Sequence, residues 1–137
     1  LRRTQQALGQ ATIALGAQPV SNFATPASRF PRVAEASTPA DALRLARRSR
    51  RLLLPVERTD GGKREFVGYV RAADCVLAAT DALPVRPILT IGPKQSYLAT
   101  ITQLLAADCP LACVVDDKDN TSGFVTLANL QAALLAD

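Results

Sequence analysis

The residues of this chain that could do chemistry recur at one spacing. In "GYVRAAD" Gly68 is followed by Arg71 and Asp74, and in "GFVTLAN" Gly123 is followed by Thr126 and Asn129, each 55 residues from its counterpart. A guanidinium, a carboxylate, a hydroxyl and an amide are groups that hold a polar ligand by charge and hydrogen bonds. None of them has a nucleophile or base partner at catalytic spacing, so the pattern points to binding. Each position also has a plainer reading. Thr126 can cap the helix that follows it, and Asp74 in a first turn can answer the helix dipole. Arg71 can be an ion-pair partner or solvated, and Asn129 a surface or turn residue.

The composition narrows the chemistry further. The 137 residues contain no His, which removes His-based triads, His general bases and most zinc sites. There is no phosphate loop of the G-x-x-x-x-G-K type and no pair of carboxylates at helical spacing among these residues, so an enzyme is not expected. The three cysteines, Cys75, Cys109 and Cys113, make no disulfide framework and fit a reducing compartment. Cys109 and Cys113 flank Pro110, which interrupts a helix between them, so all three are read as buried structural thiols.

The net charge of +4 is unevenly spread: residues 1–80 hold 13 basic and 6 acidic side chains, residues 81–137 hold 3 and 6. Its densest part is "RLARRSRR", with Arg44, Arg47, Arg48, Arg50 and Arg51. Such a run fits a solvated helix end, where cations meet the negative pole of the dipole. It also fits an anionic ligand or membrane surface, or nucleic acid. Four Phe and two Tyr leave few stacking platforms for single strands, so nucleic acid is the least favoured partner. No run of eighteen apolar residues and no signal-like opening is present, which predicts a soluble chain. It starts at Leu1 and holds no Met, and is read as a piece of something longer.

The elements that position these residues repeat with them. Upstream of each glycine lies an apolar run, "LLLPVE" or "LACVVDD", then a turn-rich connector, "RTDGGKRE" or "DKDNTS". Each copy therefore reads strand, hairpin, strand, helix. Before the first strand stands another helix. In copy one it is "TPADALRLARRS", with Thr38 as N-cap, Pro39 in the first helical position and Ala42, Leu43 and Ala46 on an apolar face. In copy two it is "SYLATITQLLAAD", with Leu98, Ile101, Leu104 and Leu105 on one face. Short extended pieces, "PRVAEA" and "RPILTI", precede these helices. The order is β-α-β-β-α twice, an α+β fold, and two copies packed together bury what one could not.

That order, with a Gly-apolar-apolar-[Ser/Thr]-x-x-Asp signature opening the last helix, resembles the CBS domain, and the tandem resembles a Bateman module over roughly Pro19 to Ala136. "CVVDDKDNTSGFVTLANLQAALLAD" is similar to the last CBS repeat of the CorC/CNNM (hemolysin-like) group, linked to magnesium and cobalt transport. "VSNFATP" fits the same group, where a helix leaving a membrane domain is followed by Val and a Met-Thr-Pro sequence; here Val20, Thr25 and Pro26 match and Ala24 replaces the Met. The resemblance implies two repeats with pseudo-two-fold symmetry and these bounds: a linker helix over residues 1–18, carried by Leu8, Ala11 and Leu15, a first repeat with its entrance strap over 19–80, and a second over 81–137. Phe23 and Phe30 would anchor the strap.

The resemblance also implies a regulatory cleft for adenine nucleotides (ATP, ADP or AMP), with no required cofactor and no metal. In the signature the glycine permits close approach, the hydroxyl and helix amino terminus face phosphate, and the Asp accepts from ribose hydroxyls. Copy one keeps Gly68 and Asp74 but has Arg71 for the hydroxyl. Copy two keeps Gly123 and Thr126 but has Asn129 for the Asp, which loses the carboxylate's charge-assisted strength. Pro55 and Val56 resemble strand residues flanking the cleft, though core packing also explains them, and Thr25 would stand at its rim. The implied setting is the cytosolic domain of an inner or plasma membrane protein, with a transmembrane domain upstream and a homodimer formed through the CBS helices. The alternative is a structural dimerisation module whose cleft is empty.

Overall fold

In the computed structural model, which describes residues 13–136, the repeat seen in the sequence becomes two sheets of like order. In chain order the elements are a helix described over residues 13–17 (α1), β1 (Thr25–Pro26), β2 (Val33–Ala34), α2 (Pro39–Ser49), β3 (Leu53–Asp60), β4 (Lys63–Arg71) and α3 (Ala72–Val76). They continue with β5 (Leu89–Ile91), α4 (Tyr97–Ala106), β6 (Leu111–Val115), β7 (Thr121–Thr126) and α5 (Leu127–Ala133). The β-α-β-β-α order holds in both copies. Of the expected linker helix, Leu8 and Ala11 lie outside the described residues, and Leu15 packs against the core of the second copy.

The unit of the first copy spans Ser28–Ile88. Helix α2 starts on a capping box: Thr38 Oγ1 accepts from the Asp41 N–H, the Asp41 carboxylate accepts from the Thr38 N–H, and Pro39 occupies the first turn, so its end is set by local chemistry. Its Ala42 and Ala46 pack with Leu54, Val56 and Val70 of the sheet and Cys75 of α3, all buried. β2 runs parallel to β3, and β3 antiparallel to β4. The hairpin turns on Gly61 and Gly62, at φ 57° and 84°, a pair of left-handed residues that matches strand twist and favours glycine.

The other unit holds the second copy from Leu89 onward together with the described residues up to Ala27. Its sheet runs β1-β7-β6-β5, with the core built from Val20, Ile91, Ala112, Val114, Val125 and Leu130 under Tyr97, Ile101 and Leu104 of α4. The buried side of α4 is thus Tyr97, Thr100, Ile101 and Leu104. Leu98 and Leu105, expected inside, are 60% and 56% exposed. The helix is apolar nearly all round, and the i, i+4, i+7 stripe that begins at Tyr97 takes the sheet.

The entrance strap differs most from its sequence reading. Val20–Phe23 forms a 3-10 turn in which Val20 is fully buried and Phe23 lies 5.1 Å from the Tyr97 ring. Thr25 and Pro26 then pair antiparallel with Phe124 and Gly123. The strap is ordered, as expected, but it joins the sheet of the second copy, so residues 19–27 sit with that copy and not with the first. The reciprocal exchange occurs at Arg86, which bridges Tyr69 through two backbone hydrogen bonds of 2.9 and 2.8 Å. The compact unit that holds the first copy thus runs on to Ile88, past the residue-80 bound drawn for the repeat.

Both exchanges depend on a glycine. A Cβ on Gly68 would lie 2.4 Å from the Arg86 carbonyl oxygen and 2.4 Å from Val85 Cγ1, and one on Gly123 would lie 2.7 Å from the Thr25 carbonyl oxygen. Backbone cannot yield as a flexible side chain does. Gly68→Ala is accordingly expected to lower stability by about 1–3 kcal/mol, read by urea denaturation; a loss under about 0.5 kcal/mol, within ordinary surface scatter, would show that this approach is not needed.

Candidate functional site

Each copy presents a strand-to-helix corner, and the two corners are built alike. In the first, β4 ends at Arg71, α3 begins at Ala72, and the Ala72 N–H donates to the Leu52 carbonyl at 2.8 Å. In the second, β7 ends at Thr126, and the Leu127 N–H donates to the Pro110 carbonyl at 2.9 Å. These bonds fix where each short helix leaves its sheet, and so where residues 71, 74, 126 and 129 stand.

At the first corner Arg71 has extended backbone and its side chain does not cap α3. Its Nε is buried with no hydrogen-bond partner among the described residues, a costly state for a charged group. Asp74 is committed: its Oδ2 accepts from Arg86 Nε at 2.8 Å, with a quarter of the carboxylate side chain exposed. In this structure the Asp74 carboxylate, expected to accept from a ribose, is held in an intramolecular ion pair. Val56 is fully buried within the core of its unit, opposite Gly68, and Pro55 is buried opposite Tyr69. Core packing accounts for Val56.

At the second corner Thr126 is 9% exposed and its Oγ1 accepts from the Asn129 N–H at 3.1 Å. Capping uses one lone pair and leaves the hydroxyl proton free to be donated. The Asn129 side chain is exposed, and Thr25 is half-buried on β1, paired with Phe124. Thr126, Asn129 and Thr25 belong to one unit, and Arg71, Asp74, Pro55 and Val56 to the other.

Arg86 was missed by sequence reasoning. The signal was present: Arg86-Pro87 stands before copy two as Thr25-Pro26 stands before copy one, so the two leaders align and each seats on the glycine of the opposite copy's signature. The three thiols are buried. Burial pushes the Cys75 thiol up, with the Asp74 charge adding to it, and burial followed by the neighbouring Cys109 pushes Cys113 up to about 12. Among the described residues no group of three or more His, Cys, Asp or Glu could hold a metal ion, and no helix is long and apolar enough to cross a membrane.

No family model and no curated protein matches the chain. Solved structures do. The CBS domain of a bacterial CNNM/CorC family Mg2+ transporter superposes with a TM-score of 0.86 at 21% identity, covering 100% of this chain and 87% of the other. The CBS domain of a bacterial CNNM/CorC family Mg2+ transporter in complex with ATP gives 0.83 at 21%, covering 96% and 97%. A hemolysin-like CBS protein of Oenococcus oeni PSU gives 0.82 at 22%, covering 94% and 98%. The fold is that of a tandem CBS pair, and the chain is similar to the CBS domains of CorC/CNNM transporters.

Because the thiolate is the reactive form, burial and a raised Cys113 together predict that a maleimide at pH 7.5 labels the native chain only at its rate of unfolding. Rapid labelling of Cys113 before any loss of circular dichroism would contradict this.

Proposed function

We propose that the chain is a regulatory CBS pair that binds an adenine nucleotide, the cytosolic part of a membrane protein of the CorC/CNNM (hemolysin-like) kind concerned with magnesium and cobalt efflux. The observation that carries the reading is Arg71, whose buried Nε has no partner at the corner that opens α3. A phosphate supplies the missing acceptor, and a guanidinium meets phosphoryl oxygens with fixed, fully charged donors. Similarity to a CBS domain held in complex with ATP supports the choice of ligand. The corner of the other unit, taken by itself, offers a second binding position, where the Thr126 hydroxyl can donate its proton and the exposed Asn129 amide can accept from a ribose hydroxyl, with Thr25 on β1 of the same unit. Asp74 remains a candidate contact, with any ribose hydroxyl competing with Arg86 for its oxygens. ATP, ADP or AMP acts as a regulatory ligand and not as a cofactor, and no catalysis is assigned. Binding biases the attached membrane domain only through a difference in affinity between its states.

A specific feature favours a second role in the same molecule. A groove of about 860 Å³, almost wholly apolar, is lined by Ile13, Gly16, Leu98, Ile101, Ala106 and Leu134, and Leu98 and Leu134 are more than half exposed. Such a surface is what a homodimer formed through the CBS helices would cover. In the purely structural alternative this is the module's whole function.

Calorimetric titration separates the two. ATP, ADP or AMP should give saturable heat, Arg71→Ala should weaken it about tenfold, and Asn129→Asp should strengthen it. Absence of both heat and thermal shift at millimolar nucleotide would leave only the structural role. For the dimer, light scattering should report two chains, and Leu98→Glu should return a monomer; a monomeric parent at high micromolar concentration would refute it.

A further inference from the structure

The densest positive charge in the described residues gathers where α2 ends. Arg47, Arg48, Arg50 and Arg51 lie in and just beyond its last turn. Of these, Arg51 meets Arg29, from the 3-10 turn Ala27–Arg29, at a pocket of about 360 Å³ lined by Ser28, Arg29, Phe30, Pro31, Ser49 and Arg51, all within one unit. The four ion pairs among the described residues use Arg32, Arg44, Arg58 and Arg86, and none uses these five arginines.

A helix end does not account for them. The dipole of a helix presents about half a negative charge at its carboxyl terminus, against five guanidinium groups here. Two carbonyls near that end are served by other groups: the Arg50 and Arg51 N–H groups both donate to Ala46, and Ser49 Oγ donates to Leu45 at 2.7 Å. Arg50 holds a left-handed φ of 57°, a conformation glycine would adopt without strain.

Arg51 is arranged to receive something. Its guanidinium carbon lies 4.1 Å from the centroid of the Phe30 ring, and that ring is 2% exposed, so it is a fixed platform. Stacking on a face leaves the in-plane N–H groups of a guanidinium available as a fork. Fixing the fork before binding removes part of the ordering cost of recognition.

We propose that this pocket binds a phosphate dianion, with Arg29 and Arg51 forking onto phosphoryl oxygens, Ser28 donating its hydroxyl, and Arg47, Arg48 and Arg50 supplying the surrounding field. Three oxygens and two negative charges match this donor set better than a single carboxylate does. The site does not rest on the nucleotide reading of the β4–α3 corner. The phosphate can be free in solution or the headgroup of a lipid, and the two sources are separable by experiment.

The 137-residue chain is titrated with inorganic phosphate at low ionic strength and sedimented with vesicles of phosphatidylcholine containing phosphatidic acid, whose headgroup is a phosphate monoester. Arg29→Gln and Arg51→Lys should each weaken binding about tenfold, while Arg71→Ala leaves it unchanged. Arg29 is exposed, so its variant remains informative even if Arg51→Lys unfolds by circular dichroism. Heat with phosphate but no sedimentation assigns a soluble ligand; sedimentation without heat assigns the lipid. Neither signal, or a signal that both variants retain in full, overturns the site.

Discussion

The close approach of backbone to backbone at Gly68 and Gly123 is the constraint on which the rest of the structure depends. At each, the chain leading into one copy lies where any side chain on the last strand of the other copy would have to be. Because the leader sits there, Arg86 exchanges two hydrogen bonds with Tyr69, and Thr25 and Pro26 add an outer strand to β7. The glycines of the repeated signature are thereby explained by the fold itself. Whatever ligand the corners take, the backbone approach that glycine permits is already occupied by the protein.

The corners inherit their rigidity from this arrangement. α3 and α5 span five and seven residues, too short to persist alone in water. They are held by one backbone bond each to the residue just before β3 or β6, by the burial of Cys75 and Leu130, and in α5 by the Thr126 cap. The Tyr97 hydroxyl donates to the Leu130 carbonyl, which ties α5 to α4. Residues at the start of such helices are positioned by tertiary packing more than by their own propensity.

The same architecture divides the charges. The carboxylates of Glu35, Glu57 and Asp74 are each claimed by an arginine far along the chain, and Asp41 by Arg44 one turn away. The Arg58 guanidinium holds the Glu35 carboxyl below its usual range, and the Thr38 N–H, with Arg44, does the same for Asp41. None of these pairings uses the arginines at the end of α2. The positive charge left at the end of α2 suits an anionic ligand.

Much of this was legible along the chain. The 55-residue offset, the Thr38–Asp41 capping box, the Gly61–Gly62 turn and the β-α-β-β-α order are local or periodic properties, and local chemistry sets them whatever surrounds them. The inward stripe of α4 was only partly legible, because a helix apolar on several sides does not declare which side meets a sheet, and packing chose Tyr97 and Thr100 over Leu98 and Leu105. The exchange of leaders, the capture of Asp74 by Arg86, and the stacking of Arg51 on Phe30 join residues 12 to 99 positions apart. No spacing rule covers such distances; they arise when strand pairing and burial bring the partners together. The sequence by itself determined the repeat, its elements and the residue types at each corner. Only the tertiary structure decided which of those residues were already bound to the protein and which remained free for something else.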